Sequence, residues 1–213
     1  MINIRRLFTI LLQLILQAWL GSASFAQTSA RGAAEQYCIL WCGVAWTSDL
    51  PLGQFEQHLR KQQKSELFFK DGLLQISTRR TERGIAFKDG GSFDIDTTIN
   101  WIYQVEIKNL AYPTIVSDFT LNNRDLKDSR RVVITCIIPQ CVSVTRTVTK
   151  NVSGSDDASG LRVTGRPETG TRHETETSIS LATGSVERAT KLAHALDDAI
   201  KLSGGSYRAI PAQ

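Results

Sequence analysis

Asn100-Trp101-Ile102-Tyr103-Gln104-Val105-Glu106-Ile107-Lys108-Asn109-Leu110 is the stretch on which the fold turns. Trp101, Tyr103, Val105 and Ile107 alternate with Ile102, Gln104, Glu106 and Lys108. A period of two with aromatics on one side describes a strand with one face in a core and the other in water. Further strand-like runs lie on either side. Upstream, Glu66 to Lys70 and Leu73 to Arg79 flank Asp71-Gly72, a pair that suits a tight hairpin turn, and Gly84 to Lys88 follows before Asp89-Gly90-Gly91. Downstream come Thr114 to Leu121, Arg131 to Ile138, Cys141 to Lys150 and Ser178 to Thr183, the last with Ile179 and Leu181 pointing inward.

Two segments have helical spacing. Val186, Ala189, Leu192, Ala193, Leu196, Ala199 and Ile200 recur at i, i+3, i+4 and i+7, with Ser185 as N-cap and Gly204-Gly205 as the stop, predicting an amphipathic helix over 186–202. Leu52, Phe55 and Leu59 recur in the same way between Pro51 and Lys64 and predict a shorter helix, with His58 at its apolar edge. The fold class expected is mainly β with helices (α+β): a small curved antiparallel β-barrel or sandwich, capped by a C-terminal amphipathic helix. Between Asn151 and Thr177 large apolar residues nearly vanish, so a mobile polar loop is expected over about 151–177.

The meander of strands, the Trp101/Tyr103 strand and the ending Ser178-Ile-Ser-Leu-Ala-Thr-Gly-Ser-Val-Glu-Arg-Ala-Thr-Lys-Leu-Ala-His-Ala-Leu resemble the pleckstrin-homology-like superfold over about residues 65–203. The resemblance is architectural and rests on no diagnostic motif. It implies binding of lipid, peptide or protein as the range of roles without choosing among them. A lipocalin-like barrel ranks second, because no Gly-x-Trp motif opens a first strand.

The N-terminus joins Arg5 and Arg6 to an apolar run from Leu7 to Leu20 and then Gly21-Ser22-Ala23-Ser24-Phe25-Ala26, the pattern of a cleavable signal peptide over 1–26. This 14-residue run is short of the roughly 20 apolar residues that span a bilayer. The chain is thus expected to be exported, periplasmic or secreted, with no integral membrane segment after cleavage. Residues 27–36 are small and polar and predict a flexible lead-in, 37–205 a single domain, and 206–213 a tail. Of the formal charge of +4, two units leave with Arg5 and Arg6, and a balance of about +2 gives no electrostatic reason to expect nucleic acid.

Four cysteines form two close pairs, Cys38 with Cys42 and Cys136 with Cys141. An even count in an exported chain points to disulfides with three possible connectivities. Pairing of Cys136 with Cys141 is favoured, because Ile137-Ile138-Pro139-Gln140 can turn and bring two strand ends together. A 38–42 bridge requires that segment not to be a regular helix. The spacings lack neighbouring histidines and make a poor zinc set, so no metal is expected.

Tyr37 to Trp46 is strongly apolar and must be buried in the core or against a partner. Trp41 and Trp46 are its candidate contact aromatics, for an unknown protein, peptide or lipid ligand. No catalytic set or cofactor motif stands out. Asp94-Ile95-Asp96-Thr97-Thr98 has the spacing of a phosphatase nucleophile motif but lacks the apolar strand before it. An acidic site around Asp94, Asp96 or Glu106 is the enzyme alternative, and it requires these carboxylates to converge with raised pKa values. A structural subunit docking through 37–46 is a third reading. His173 with Glu174 reads as exposed polar chain, His194 as a boundary residue of the terminal helix, and Asp197 with Asp198 as solvated charge.

Overall fold

The computed structural model describes residues 25–52, 55–88, 91–118, 128–156, 161–164 and 168–208. Helix α1 occupies residues 25–41. It is followed by β1 (Gly43–Leu52), β2 (Phe55–Lys70), β3 (Leu73–Lys88) and β4 (Gly91–Glu106), then β5 (Ala111–Tyr112), β6 (Ile115–Asp118) and β7 (Arg130–Thr135). The chain continues through β8 (Val142–Asp156), β9 (Leu161–Thr164), β10 (Glu168–Glu176) and β11 (Ser178–Thr183) into α2 (Val186–Leu202) and the short β12 (Ser206–Tyr207). Most of residues 1–26, the expected signal peptide, lie outside the described residues.

Seven strands form one antiparallel sheet in the order β1-β2-β3-β4-β8-β10, with β9 also paired to β8. Its register starts at the turn read from Asp71-Gly72: both residues have positive φ, 50° and 78°, and Lys70 faces Leu73 across it. From there the β2–β3 pairing runs outward to Gln57 opposite Ala86. A second sheet, β11-β7-β6, and a parallel pair, β12-β5, complete the fold. The large sheet is not closed into a barrel; among the described residues β1 edges it on one side and β10 and β9 on the other. The sandwich-like form of the α+β class is the one adopted.

The core sits over one end of the large sheet. Leu67, Leu74, Ile76, Val105, Val142 and Val144 bury there against Val132 and Ile134 of β7, Ile179 and Leu181 of β11, and Leu192, Leu196 and Ile200 of α2. Helix α2 has the bounds that its spacing predicts, and the Ser185 hydroxyl accepts from the Arg188 N–H at 3.3 Å. After it, Gly204 takes φ 89°. Gly205 lies so close to its neighbours that a Cβ would overlap Ile200 Cγ2 and stand 3.0 Å from the carbonyls of Ile200 and Leu110. Past Gly205 the chain pairs with β5, so part of the expected tail is structured.

Three expectations are corrected. The flexible lead-in at 27–36 is helical, held by a face of small residues: Ala34 and Cys38 are fully buried, the Glu35 carboxylate accepts from the Phe69 N–H at 2.7 Å, and the Arg31 guanidinium donates to the Ser203 hydroxyl at 2.9 Å. The expected helix over 51–64 is strand, split between β1 and β2. Its helical spacing of apolar residues yields to the ladder propagated from the Asp71-Gly72 turn. The expected mobile loop over 151–177 supplies the end of β8, then β9 and β10. β10 stays in the ladder although nearly all its side chains are exposed, and its β-branched threonines favour the strand. Thr147 and Thr171 hydroxyls lie 3.4 Å apart across β8 and β10.

Away from the core the large sheet changes character. The buried pair Ser65 and Thr78, joined at 2.8 Å, marks the boundary. Beyond it Glu82 pairs with Arg80 and, at 3.9 Å, with Lys61, and the opposite face carries Gln62, Lys64, Arg79, Thr81 and Asn100 around a shallow groove of 460 Å³. Among the described residues no helix is long and apolar enough to cross a membrane.

Candidate functional site at the junction of the first helix and first strand

The last turn of α1 turns Cys38 into the core, with Cys42 buried immediately after it. Helical geometry then puts Ile39 and Leu40 outward, and they are 49% and 61% exposed. Tyr37 and Trp41, one turn apart, stack with centroids 4.5 Å apart and planes 13° apart. The Lys191 ammonium stands 6.0 Å over the Trp41 ring and is held by Glu187 at 2.7 Å. The chain leaves this turn at Gly43, where a Cβ would stand 3.3 Å from the Gln63 carbonyl, a close approach that favours glycine.

Ile39, Leu40, Trp41, Val44 and Ala45 line one side of a hollow of 300 Å³, with Gln62, Gln63, Lys64 and Arg188 on the other. Strand β1 borders it. Its inner edge pairs with β2, and no strand among the described residues pairs with its outer edge. The hollow brings apolar side chains and flanking cations together beside a strand whose outer edge is unpaired among the described residues, a combination suited to an added strand.

Of the residues singled out by sequence, Trp41 lines this hollow, and Trp46 lies on β1 opposite Lys61. Ile39, Leu40, Arg188 and Lys191 were not singled out. The first two sit inside the apolar 37–46 run. The other two come from a helix about 150 residues away in sequence, which no local pattern connects to it.

Cys136 and Cys141 form a disulfide with Cα atoms 6.0 Å apart, joining the end of β7 to the start of β8. This pairing accords with an oxidising, exported location. The second bridge is not formed: Cys38 and Cys42 are buried thiols. The regular helix makes the difference, with the Cys42 N–H donating to the Cys38 carbonyl at 2.8 Å, while the Cys38 thiol donates to the Ser65 carbonyl at 3.6 Å. Hydrogen bonding to Cys38, and then burial, push the Cys42 thiol far above the ordinary thiol range.

The acidic alternative does not assemble. Asp94 and Asp96 are exposed on β4, and Asp96 lies 3.4 Å from Arg83. Glu106, at the other end of the same strand, pairs with Lys108 at 2.7 Å. Ten residues of strand separate Asp96 from Glu106 by about 33 Å. His58 lies on β2 instead of a helix. His173 is exposed, with Nδ1 3.1 Å from the Thr145 hydroxyl, and His194 is exposed on α2. Asp197 differs from its reading as a solvated charge. It is half-buried and accepts from the Thr114 N–H at 2.6 Å, and burial holds its carboxyl above the ordinary range against the opposing pull of Thr114.

Fold and site together define an α+β protein with an open antiparallel sheet and an apolar hollow at one sheet edge. Comparison of the chain with protein-family models, curated proteins and solved structures finds no match.

Proposed function

We propose that this chain is an exported binding domain whose α1–β1 junction takes an extended apolar segment of a partner protein. The observation that carries the reading is the exposure of Ile39 and Leu40 beside the open edge of β1. A partner strand on that edge gains main-chain hydrogen bonds and places alternate side chains into the hollow. Lys64 and Arg188 favour a segment that carries acidic residues as well. Export is supported by the signal pattern of residues 1–26 and by the Cys136–Cys141 bridge.

The test is site-specific photo-crosslinking in the source cell's envelope. A photoreactive side chain at position 40 should join one discrete partner, and the crosslink should be lost on adding Ile39→Asp. The same group at position 102, an exposed apolar position on the large sheet, should not capture it. Identical crosslinks from both positions, or none from position 40, would overturn the reading.

A further inference from the structure

Three side chains meet where the helices cease to cover the large sheet. Arg146 of β8 stands directly opposite Arg172 of β10, and on its other side opposite Trp101 of β4. All three project from the face that, one pair further in, carries Tyr103 and Val144 of the core wall. Two guanidinium groups in direct cross-strand opposition repel each other. Neither forms an ion pair with a carboxylate among the described residues. The acids on the same face of β10, Glu174 and Glu176, lie further toward the core. Burial and then the charge of Glu174 hold the Glu176 carboxyl above the ordinary range, the opposite of what a bound arginine would do.

Arg146 is also incompletely satisfied. Its guanidinium lies 5.8 Å from the Trp101 ring centroid, which accommodates its face but accepts none of its in-plane N–H groups. Its Nε–H is shut off from water and has no acceptor. Buried donors in folded proteins are nearly always paired, so an orphaned one points to a missing acceptor. Open space lies beside the two arginines. A hollow of 320 Å³ is lined by Arg146, Val148, Gly170, Thr171 and Arg172. Gly170 is part of its wall, and the space where a Cβ would stand is empty to 4 Å.

We propose that Arg146 and Arg172, with Trp101 behind them, form a binding site for a phosphate-class oxyanion. Each guanidinium presents forked donors that match such oxygens, and an anion between them replaces the repulsion with two charge-assisted contacts. The hollow is larger than a bare phosphate, so the group is carried on a larger body whose apolar part lies against Val148. The site is on a different part of the sheet from the α1–β1 junction and stands or falls independently of it.

Calorimetric titration of the disulfide-intact protein with inorganic phosphate tests the proposal. Binding should be saturable in the wild type and about tenfold or more weaker in Arg172→Gln, an exposed position whose replacement leaves the core untouched. Arg146→Lys keeps the charge but not the fork and should also weaken binding, whereas Arg79→Gln, on the opposite face, should not. Co-sedimentation with phosphatidylcholine vesicles, with and without phosphatidic acid, then identifies the source. Retention only with phosphatidic acid assigns a lipid headgroup, and phosphate binding without retention assigns a soluble ester. No saturable binding of phosphate, or equal binding by wild type and Arg172→Gln, would overturn the proposal.

Discussion

The two ends of the large sheet are built from the same strands by opposite rules. At the end near the Asp71-Gly72 turn, β2, β3, β4 and β8 present Leu67, Leu74, Ile76, Val105 and Val144 to two helices and a second sheet. At the other end the same strands carry Thr81, Glu82, Asp96, Thr147 and Thr149, and the ladder is held by main-chain pairing and polar side chains. Strand formation thus does not require a buried face once the register has been set elsewhere. It requires β-branched residues, a neighbour, and a core that pins one end.

Substitution should separate the two ends sharply. Leu74→Ala removes a fully buried side chain and should cost about 2–5 kcal/mol in urea unfolding, whereas Thr147→Ala should stay within about 0.5 kcal/mol. Equal losses would dissolve the distinction. Gly205→Ala probes how tightly the core end is closed: the added methyl must displace Ile200 or the backbone, and a loss of about 1–3 kcal/mol is expected. The smallest effect concerns pH. Folding raises the affinity of Asp197 for its proton, so its contribution is present below the ordinary value of 3.8 and is lost as pH rises through the raised value. Asp197→Asn keeps an acceptor for Thr114 and should gain slightly on the wild type as pH rises through that window, as read from melting temperatures across pH.

What sequence reveals of this molecule follows the same division. Helix α2 is legible to the residue because its apolar spacing, Ser185 cap and glycine stop agree, and the 100–107 alternation and the Asp71-Gly72 turn place the centre of the sheet. Helix α1 escapes because Ala34 is the one buried residue within 27–36, and an alanine gives no apolar periodicity to read. The outer strands escape because polar alternation resembles a loop when both faces are wet. At the α1–β1 junction Trp41 belongs to a visibly apolar run, but Arg188 and Lys191 acquire meaning only once α2 is seen against it, as Arg146 and Arg172 elsewhere on the sheet do only once β8 and β10 pair.

The contact of Gln27 and Arg31 with Ser203 joins residues 176 and 172 positions apart, almost the full length of the chain. In a chain that emerges N-terminus first, the first turns of α1 wait for the end of α2 to be made. Before α2 and the turn after it are made, β2 can hold the later turns of α1, through Glu35 on the Phe69 N–H and Cys38 on the Ser65 carbonyl, while the first turns lack Ser203. Chains cut short before Ser203 should therefore hold the first turns of α1 less firmly, which faster amide hydrogen exchange at residues 27–31 would reveal.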